Sequence, residues 1–285
     1  MLRKIILFTI SGLVALITLA LVYGSLRWAF VTEKMYASLE AKRFSPKNLR
    51  YNSKELIGLP PPVQRYFRAV LTEGQPIISA VTIKHTGTFN ISPTDEQWKP
   101  FTSIQKVITS RKGFVWDGRI KIMPGLTAYV HDAYIAGEGI LYASLFGLIP
   151  LAKSQGTTKM AKGELMRFLA EAAWYPTALL PTQGVCWHAV DNYSAKATLT
   201  DGQITVSLLF YFNQKGLIKS VRAEIRGRNV AGEMVPTPWE GQWWNYKLCN
   251  GIRIPTQGEA KWILSKNSKP YWRGHITKIK YEFAQ

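Results

Sequence analysis

Beyond Ile77 the apolar residues of this chain recur every second position, and the runs that carry them are joined by turns of a few residues. A parallel pair would need a crossover of a dozen residues or more, so the pattern dictates antiparallel pairing. In the first arm Val81, Ile83, Phe89 and Ile91 alternate with Thr82, Lys84, Thr86, Thr88 and Asn90. Trp98–Thr109 and Phe114–Met123 flank Ser110-Arg111-Lys112-Gly113, and in the second arm Phe114, Trp116, Ile120 and Ile122 alternate with Asp117, Arg119 and Lys121. Leu126–Ile135 and Ile140–Leu151 read as two further arms about Gly137-Glu138-Gly139. The meander resumes with Val185–Val190, Ser194–Thr200, Ile204–Phe212, Leu217–Arg226, Trp239–Leu248, Ile252–Leu264 and Tyr271–Phe283. Asp201-Gly202, Asn213-Gln214-Lys215-Gly216 and Asn250-Gly251 supply the positive φ that hairpin turns require. The expected fold class is α+β: a strongly curled antiparallel sheet of around ten strands, an open barrel or deep saddle, with a helical lid.

One stretch breaks the period. In Gly163–Pro181, Leu165, Phe168, Leu169 and Ala172 follow the i, i+3, i+4, i+7 spacing of an apolar helix face, and Glu164, Arg167 and Glu171 gather opposite. Pro176 stops the helix, which is expected over 163–175. Its apolar face should cover the sheet. A carboxylate held by an arginine can orient a ligand, and a second can act as acid or base. The same spacing describes a solvated face with two surface ion pairs, worth ~0.3–0.5 kcal/mol each, and that is the reading it favours. Ile140–Leu151 carries almost no polar side chain, so it must be buried on both faces, line an apolar cavity or touch lipid.

The N-terminus sets the address. Ile5–Tyr23 is apolar and uncharged, long enough to span a bilayer, and follows Arg3 and Lys4. The alternative, a cleaved signal, is disfavoured by the length of the run and by the lack of an Ala-x-Ala site, and no cysteine follows to make a lipoprotein signal. Residues 1–28 are therefore expected to be a single-pass anchor, 29–58 a juxtamembrane helix or tether, and 59–285 one β-rich domain. Arg3 and Lys4 argue for an internal N-terminus, although Arg27, Lys34, Lys42 and Arg43 weigh on the other side. The reading preferred is a bacterial inner-membrane protein with its domain outside, on the periplasmic side. Within that domain Leu59-Pro60-Pro61-Pro62 leads into a short helix, Val63–Leu71, whose Val63, Tyr66, Phe67 and Val70 form one apolar face.

The chain has 285 residues, 47% hydrophobic, and a formal net charge of +18. Its 36 lysines and arginines are scattered, with no basic run longer than two, which suits anionic lipid head groups better than nucleic acid. His85, His131, His188 and His275 sit one per segment without metal-ligand spacing, so neither a metal site nor another cofactor is expected. Common hydrolase, protease and nucleotide motifs are missing, and no catalytic residue is assigned. Asp117 and Arg119 share one strand face, as a cross-strand ion pair or as partners of the central helix. Trp174 and Tyr175 could reach over an apolar opening or pack into the core. Seven of the ten tryptophans fall in the second half, and the adjacent Trp243 and Trp244 must point to opposite sheet faces. The candidate ligand-binding set is Trp116, Asp117, Arg119, Glu164, Arg167, Phe168, Glu171, Trp174, Tyr175, Trp243 and Trp244. Cys186 and Cys249 can form a disulfide if their strands are neighbours.

The N-terminal span, Leu59-Pro60-Pro61-Pro62-Val63-Gln64-Arg65-Tyr66-Phe67, Trp116-Asp117-Gly118-Arg119-Ile120, and Glu164–Glu171 running into Trp174-Tyr175-Pro176-Thr177-Ala178-Leu179-Leu180-Pro181 together resemble a bacterial family catalogued as a domain of unknown function. The resemblance covers most of the chain beyond the anchor and brings no catalytic residue. A curled antiparallel sheet with a helix across its mouth is also similar, in architecture, to the lipoprotein-carrier fold of the LolA/LolB type, which implies an apolar cavity for acyl chains. The leading expectation is a membrane-anchored envelope protein that holds a lipid, acyl chain or other hydrophobic small molecule under the helical lid. An envelope enzyme acting on a lipid or glycan through the carboxylates of the central helix, and a scaffold acting through exposed tryptophans, are the alternatives. Oligomeric state is left open.

Overall fold

The structure, a computed structural model, describes residues 1–44, 49–230 and 232–284; residues 45–48 of the expected tether lie outside this set. Helix α1 (Leu2–Glu40) is unbroken and is long and apolar enough to cross a membrane. It does not end with the apolar run. From Gly24 onward it lies on the outer face of the sheet, burying Gly24, Trp28, Thr32, Tyr36 and Leu39 along one stripe of near-fourfold spacing. The first part of the expected tether is thus a packed helix.

Helix α2 (Pro61–Val70) starts with prolines at its first positions, where a missing N–H costs nothing, and buries Pro62, Val63, Tyr66, Phe67 and Val70. The N-terminal meander is β1 (Ile78–Asn90), β2 (Trp98–Ile108), β3 (Gly113–Met123), β4 (Leu126–Ile135), β5 (Glu138–Leu145) and β6 (Ile149–Gln155). Helix α3 (Thr158–Glu171) follows, capped by the Thr157 hydroxyl, which accepts from Met160 N at 3.1 Å. The second meander is β7 (Val185–Ala189), β8 (Ser194–Asp201), β9 (Ile204–Phe212), β10 (Ile218–Val230), β11 (Glu233–Cys249), β12 (Ile252–Ile263) and β13 (Ser268–Phe283). The thirteen strands of the described residues form one sheet in the order β6-β5-β4-β3-β2-β1-β13-β12-β11-β10-β9-β8-β7, every pair antiparallel.

The count exceeds the expected ten partly because Ile140–Leu151 is not one arm. Phe146 and Gly147 both take positive φ, 53° and 74°, and Leu148 N donates to Leu145 O at 2.8 Å, so a two-residue turn folds the run into the β5–β6 hairpin. The sheet does not close, since β6 and β7 are its two edges. The chain between those edges is α3 with the 3-10 turns that follow it. To join them it must cross the concave side, and α3 touches β3, β4 and β5 on one wing and β9 and β10 on the other. The sheet is wrapped around it. Leu165, Phe168, Leu169, Trp174, Tyr175 and Leu179 join β-sheet residues from both wings in one core. Cys186 on edge strand β7 and Cys249 at the end of β11 are free thiols whose strands are separated by β8, β9 and β10, so the condition for a disulfide, neighbouring strands, is not met.

Candidate functional site

Inside the curl, above α3, is a cavity of about 520 Å³, within the size range of small-molecule sites. Its walls come from both meanders: Phe89, Ile91, Trp116, Ile120, Ile122, Val130, Leu141, Ala143 and Leu151 from one, and Trp239, Trp243, Ala260, Tyr271 and Trp272 from the other, with Trp174 beyond the end of α3. Alternation explains the first set. Along β4, Ala128, Val130 and Asp132 face inward while Tyr129 and His131 meet α1 on the outer face. The aromatic rings pack edge-on or tilted, with Trp174 and Trp243 at 4.9 Å and 70°. A second space of about 380 Å³ shares Asp132, Leu141, Arg226 and Tyr271 with the first and adds Gly163, Glu164, Arg228 and Lys269.

A charged cluster lies between the two spaces. Arg167 Nε donates to Glu171 Oε1 at 2.7 Å and its Nη1 to Asp132 Oδ2 at 2.5 Å, while Gln105 Nε2 donates to Glu171 Oε2 at 2.6 Å. The guanidinium lies 4.8 Å from the centre of the Phe114 ring and 5.5 Å from that of Trp116. Burial opposes the charge of Arg167, yet Glu171, Asp132 and Glu164 raise its pKa, so it is a permanent cation. Arg226 sits 4.8 Å from the Trp239 ring and reaches Glu164 only at 3.7 Å, beyond a good hydrogen bond. Burial, reinforced by the Asp132 charge, raises the Glu164 carboxyl well above the usual range, against the pull of Arg226 and Arg167. Glu164 Oε2, Asp132 Oδ1 and the indole N–H groups of Trp174 and Trp243 are buried and have no partner among the described residues. The site therefore offers an apolar chamber with a few fixed polar groups around it.

Of the residues expected to bind a ligand, Trp116, Arg167, Glu171, Trp174 and Trp243 line the larger space and Glu164 the smaller one. Glu164 and Glu171 are only 5% and 9% exposed, so the solvated-face reading of α3 is corrected: the helix is enclosed by both wings and has no solvated side where these residues lie. Phe168 is core, and Tyr175 donates to the Phe168 carbonyl at 2.7 Å, which closes the end of the helix. Trp244 is exposed on the opposite face from Trp243. Asp117 and Arg119 also lie away from the cavity. They pair with each other beneath α1, where Asp117 accepts from Trp28 and the Arg119 guanidinium lies 4.1 Å from the centre of the Tyr129 ring.

Sequence reasoning missed Asp132, Gln105 and Arg226; Trp239 and Trp272, which belong to the tryptophan-rich second half, were left out of the candidate set but line the cavity. Arg226 is instructive. With Val221 and Ala223 inward, strict alternation would bury Ile225 and expose Arg226. A β-bulge between Ala223 and Arg226 reverses this, leaving Ile225 exposed and Arg226 buried.

Two solved structures are similar to this chain. A LolA superfamily protein from Nitrosomonas europaea is 9% identical, with 78% of this chain and 92% of that one covered and a TM-score of 0.42. A beta-barrel-like protein of the domain of unknown function DUF1849 from Brucella abortus is 8% identical, with 73% and 99% covered and a TM-score of 0.25. Among curated proteins none matches the chain. The family model DUF6920, described as a family of unknown function, matches residues 57–281, the whole sheet but its last few residues together with α2 and α3. The chain belongs to the DUF6920 family.

Proposed function

We propose that this protein is a membrane-anchored binding protein for a lipid, acyl chain or other hydrophobic molecule, held in the cavity between the sheet and α3. The observation that carries the reading is the lining of the larger space, in which five tryptophans, Trp116, Trp174, Trp239, Trp243 and Trp272, surround an unfilled volume of about 520 Å³. Aromatic rings packed to fill a core leave few voids larger than a water. The polar atoms around this chamber suit the polar end of an amphiphile: the indole N–H groups of Trp174 and Trp243 donate, and Asp132 Oδ1 and Glu164 Oε2 are unpaired carboxyl oxygens. Helix α1 supplies the anchor.

Full-length protein purified from its own membranes should release a hydrophobic molecule in near-equimolar amount on solvent extraction, read by mass spectrometry. Repeated recovery of none would end this proposal. A second reading, an enzyme acting on a lipid or glycan, is favoured by one observation, the burial of Glu164 with its Oε2 unpaired near the unpaired Asp132 Oδ1, where burial raises the Glu164 carboxyl well above its usual range, the direction general-acid work requires. It requires turnover of the bound molecule by wild-type protein and none by Glu164→Gln; recovery of the molecule unchanged from both would exclude it.

A further inference from the structure

We infer that the end of the sheet carrying the β3–β4 and β5–β6 turns is seated on the bilayer that α1 spans, and that the cavity is loaded directly from that lipid surface across β6. The loading step rests on the binding reading above; the seating does not. The argument starts from the helix. Leu2–Tyr23 are exposed throughout, and Gly24 is the first point of close packing, where the Phe146 carbonyl and the Leu148 side chain approach so closely that no Cβ would fit. At 1.5 Å per residue, the segment up to Tyr23 is about 33 Å long, close to the ~30 Å hydrocarbon core of a bilayer. The lipid surface therefore falls level with the β5–β6 turn.

The direction of α1 across the sheet fixes which end of this wing faces the lipid. Trp28 stacks on His131 at 4.0 Å, Lys106 lies over the Tyr36 ring, and Leu39 abuts Gly113, so the helix climbs from the β5–β6 turn toward the β2–β3 turn. The β3–β4 turn lies at the lower end as well, since Phe146 N donates to Thr127 O at 3.1 Å. That end exposes apolar side chains a soluble surface would not gather: Met123 and Ile149 are each 59% exposed and Leu151 is 53% exposed. Lys121 and Lys153 flank them, exposed, where anionic head groups would attract them. Leu151 also lines the cavity, together with Ile91 and Ile122 from the ends of neighbouring strands. Because β6 is an edge strand with no partner beyond it among the described residues, one side chain row can face lipid and cavity at once.

The test uses the full chain in vesicles of phosphatidylcholine and phosphatidylglycerol, with Cys186→Ser and Cys249→Ser and single nitroxide labels at Met123→Cys, Ile149→Cys or Leu248→Cys. Leu248 is an exposed apolar residue at the opposite end, near the β11–β12 turn. Labels at 123 and 149 should be relaxed more by oxygen than by a water-soluble nickel chelate, and the label at 248 the reverse. Equal nickel access at all three positions would overturn the seating. For loading, Met123→Glu with Ile149→Glu should slow uptake of a fluorescent fatty acid from vesicles severalfold while leaving its capture from aqueous solution unchanged. Unaltered uptake from vesicles would overturn the route, whereas failure to bind the probe from either source, in wild type, would count against the cavity instead.

Discussion

The indole N–H of Trp28 donates to Asp117 Oδ1 at 3.0 Å, tying the long apolar helix α1 to β3. Around this bond Trp28 stacks on His131 and Tyr142, Arg119 pairs with Asp117, and Thr32 Oγ1 lies 2.7 Å from His131 Nε2. Helix α1 is thus held at a set angle to the cavity. Trp28→Ala should cost about 3–5 kcal/mol by removing a buried indole, and Asp117→Ala about 1–3 kcal/mol by leaving buried donors unpaired. Denaturant unfolding of the full chain in micelles measures both; a loss under about 1 kcal/mol for Trp28→Ala would show that α1 is not held there.

Stability should fall in mild acid. Burial lowers the pKa of His131 to about 4, against the opposite pull of Asp117, and lowers His85 to about 3. A histidine whose folded pKa lies below its unfolded value of about 6.5 binds its proton first in the unfolded state, so stability rises with pH across that interval and is complete above it. Unfolding free energy should therefore drop as pH falls from about 6.5 towards 4, by on the order of 3 kcal/mol from His131 alone. His131→Gln should flatten that slope in denaturant titrations at several pH values. An unchanged slope would remove His131 as its source.

Glu164 should act with the opposite pH dependence. Its folded pKa is raised, so its burial costs nothing in acid and becomes a penalty as pH rises through the unfolded carboxyl value of about 4.3. Glu164→Gln should leave stability at pH 4 nearly unchanged and increase it at pH 8. A loss of stability at pH 8 would mean that the contact with Arg226, 3.7 Å away, outweighs desolvation.

Filling the chamber should displace its occupant. Ala143 lines the larger space, and Ala143→Phe projects a ring into it without removing any charged partner. The variant should keep its unfolding midpoint within the equivalent of about 1.5 kcal/mol and co-purify with markedly less hydrophobic ligand than wild type. Wild-type ligand content with a normal fold would place the ligand elsewhere.

The sheet, its antiparallel pairing, the long apolar N-terminal helix and α3 were legible because each rests on local period and turn chemistry. What escaped depended on three dimensions. The pairing of Asp117 and Arg119 on one face could be read from their spacing, but which face is concave could not, since α1 covers the outer side of β3 and β4 and makes both faces look buried. The burial of Glu164, Arg167 and Glu171 follows from α3 joining the two sheet edges, a consequence of strand order that helical periodicity does not carry. The Phe146-Gly147 turn hid inside an apolar run because phenylalanine does not advertise positive φ. Arg226 hid behind a bulge.

The central claim is that a hydrophobic molecule occupies the space above α3. Photolysis of a diazirine-bearing fatty acid with the full chain in membranes, followed by mapping of the labelled peptides, addresses it most directly. The account expects labels on the cavity walls, at Trp116–Val130 and Trp239–Ala260, and their loss in Ala143→Phe. Labels confined to Leu2–Tyr23, unchanged in that variant, would contradict it.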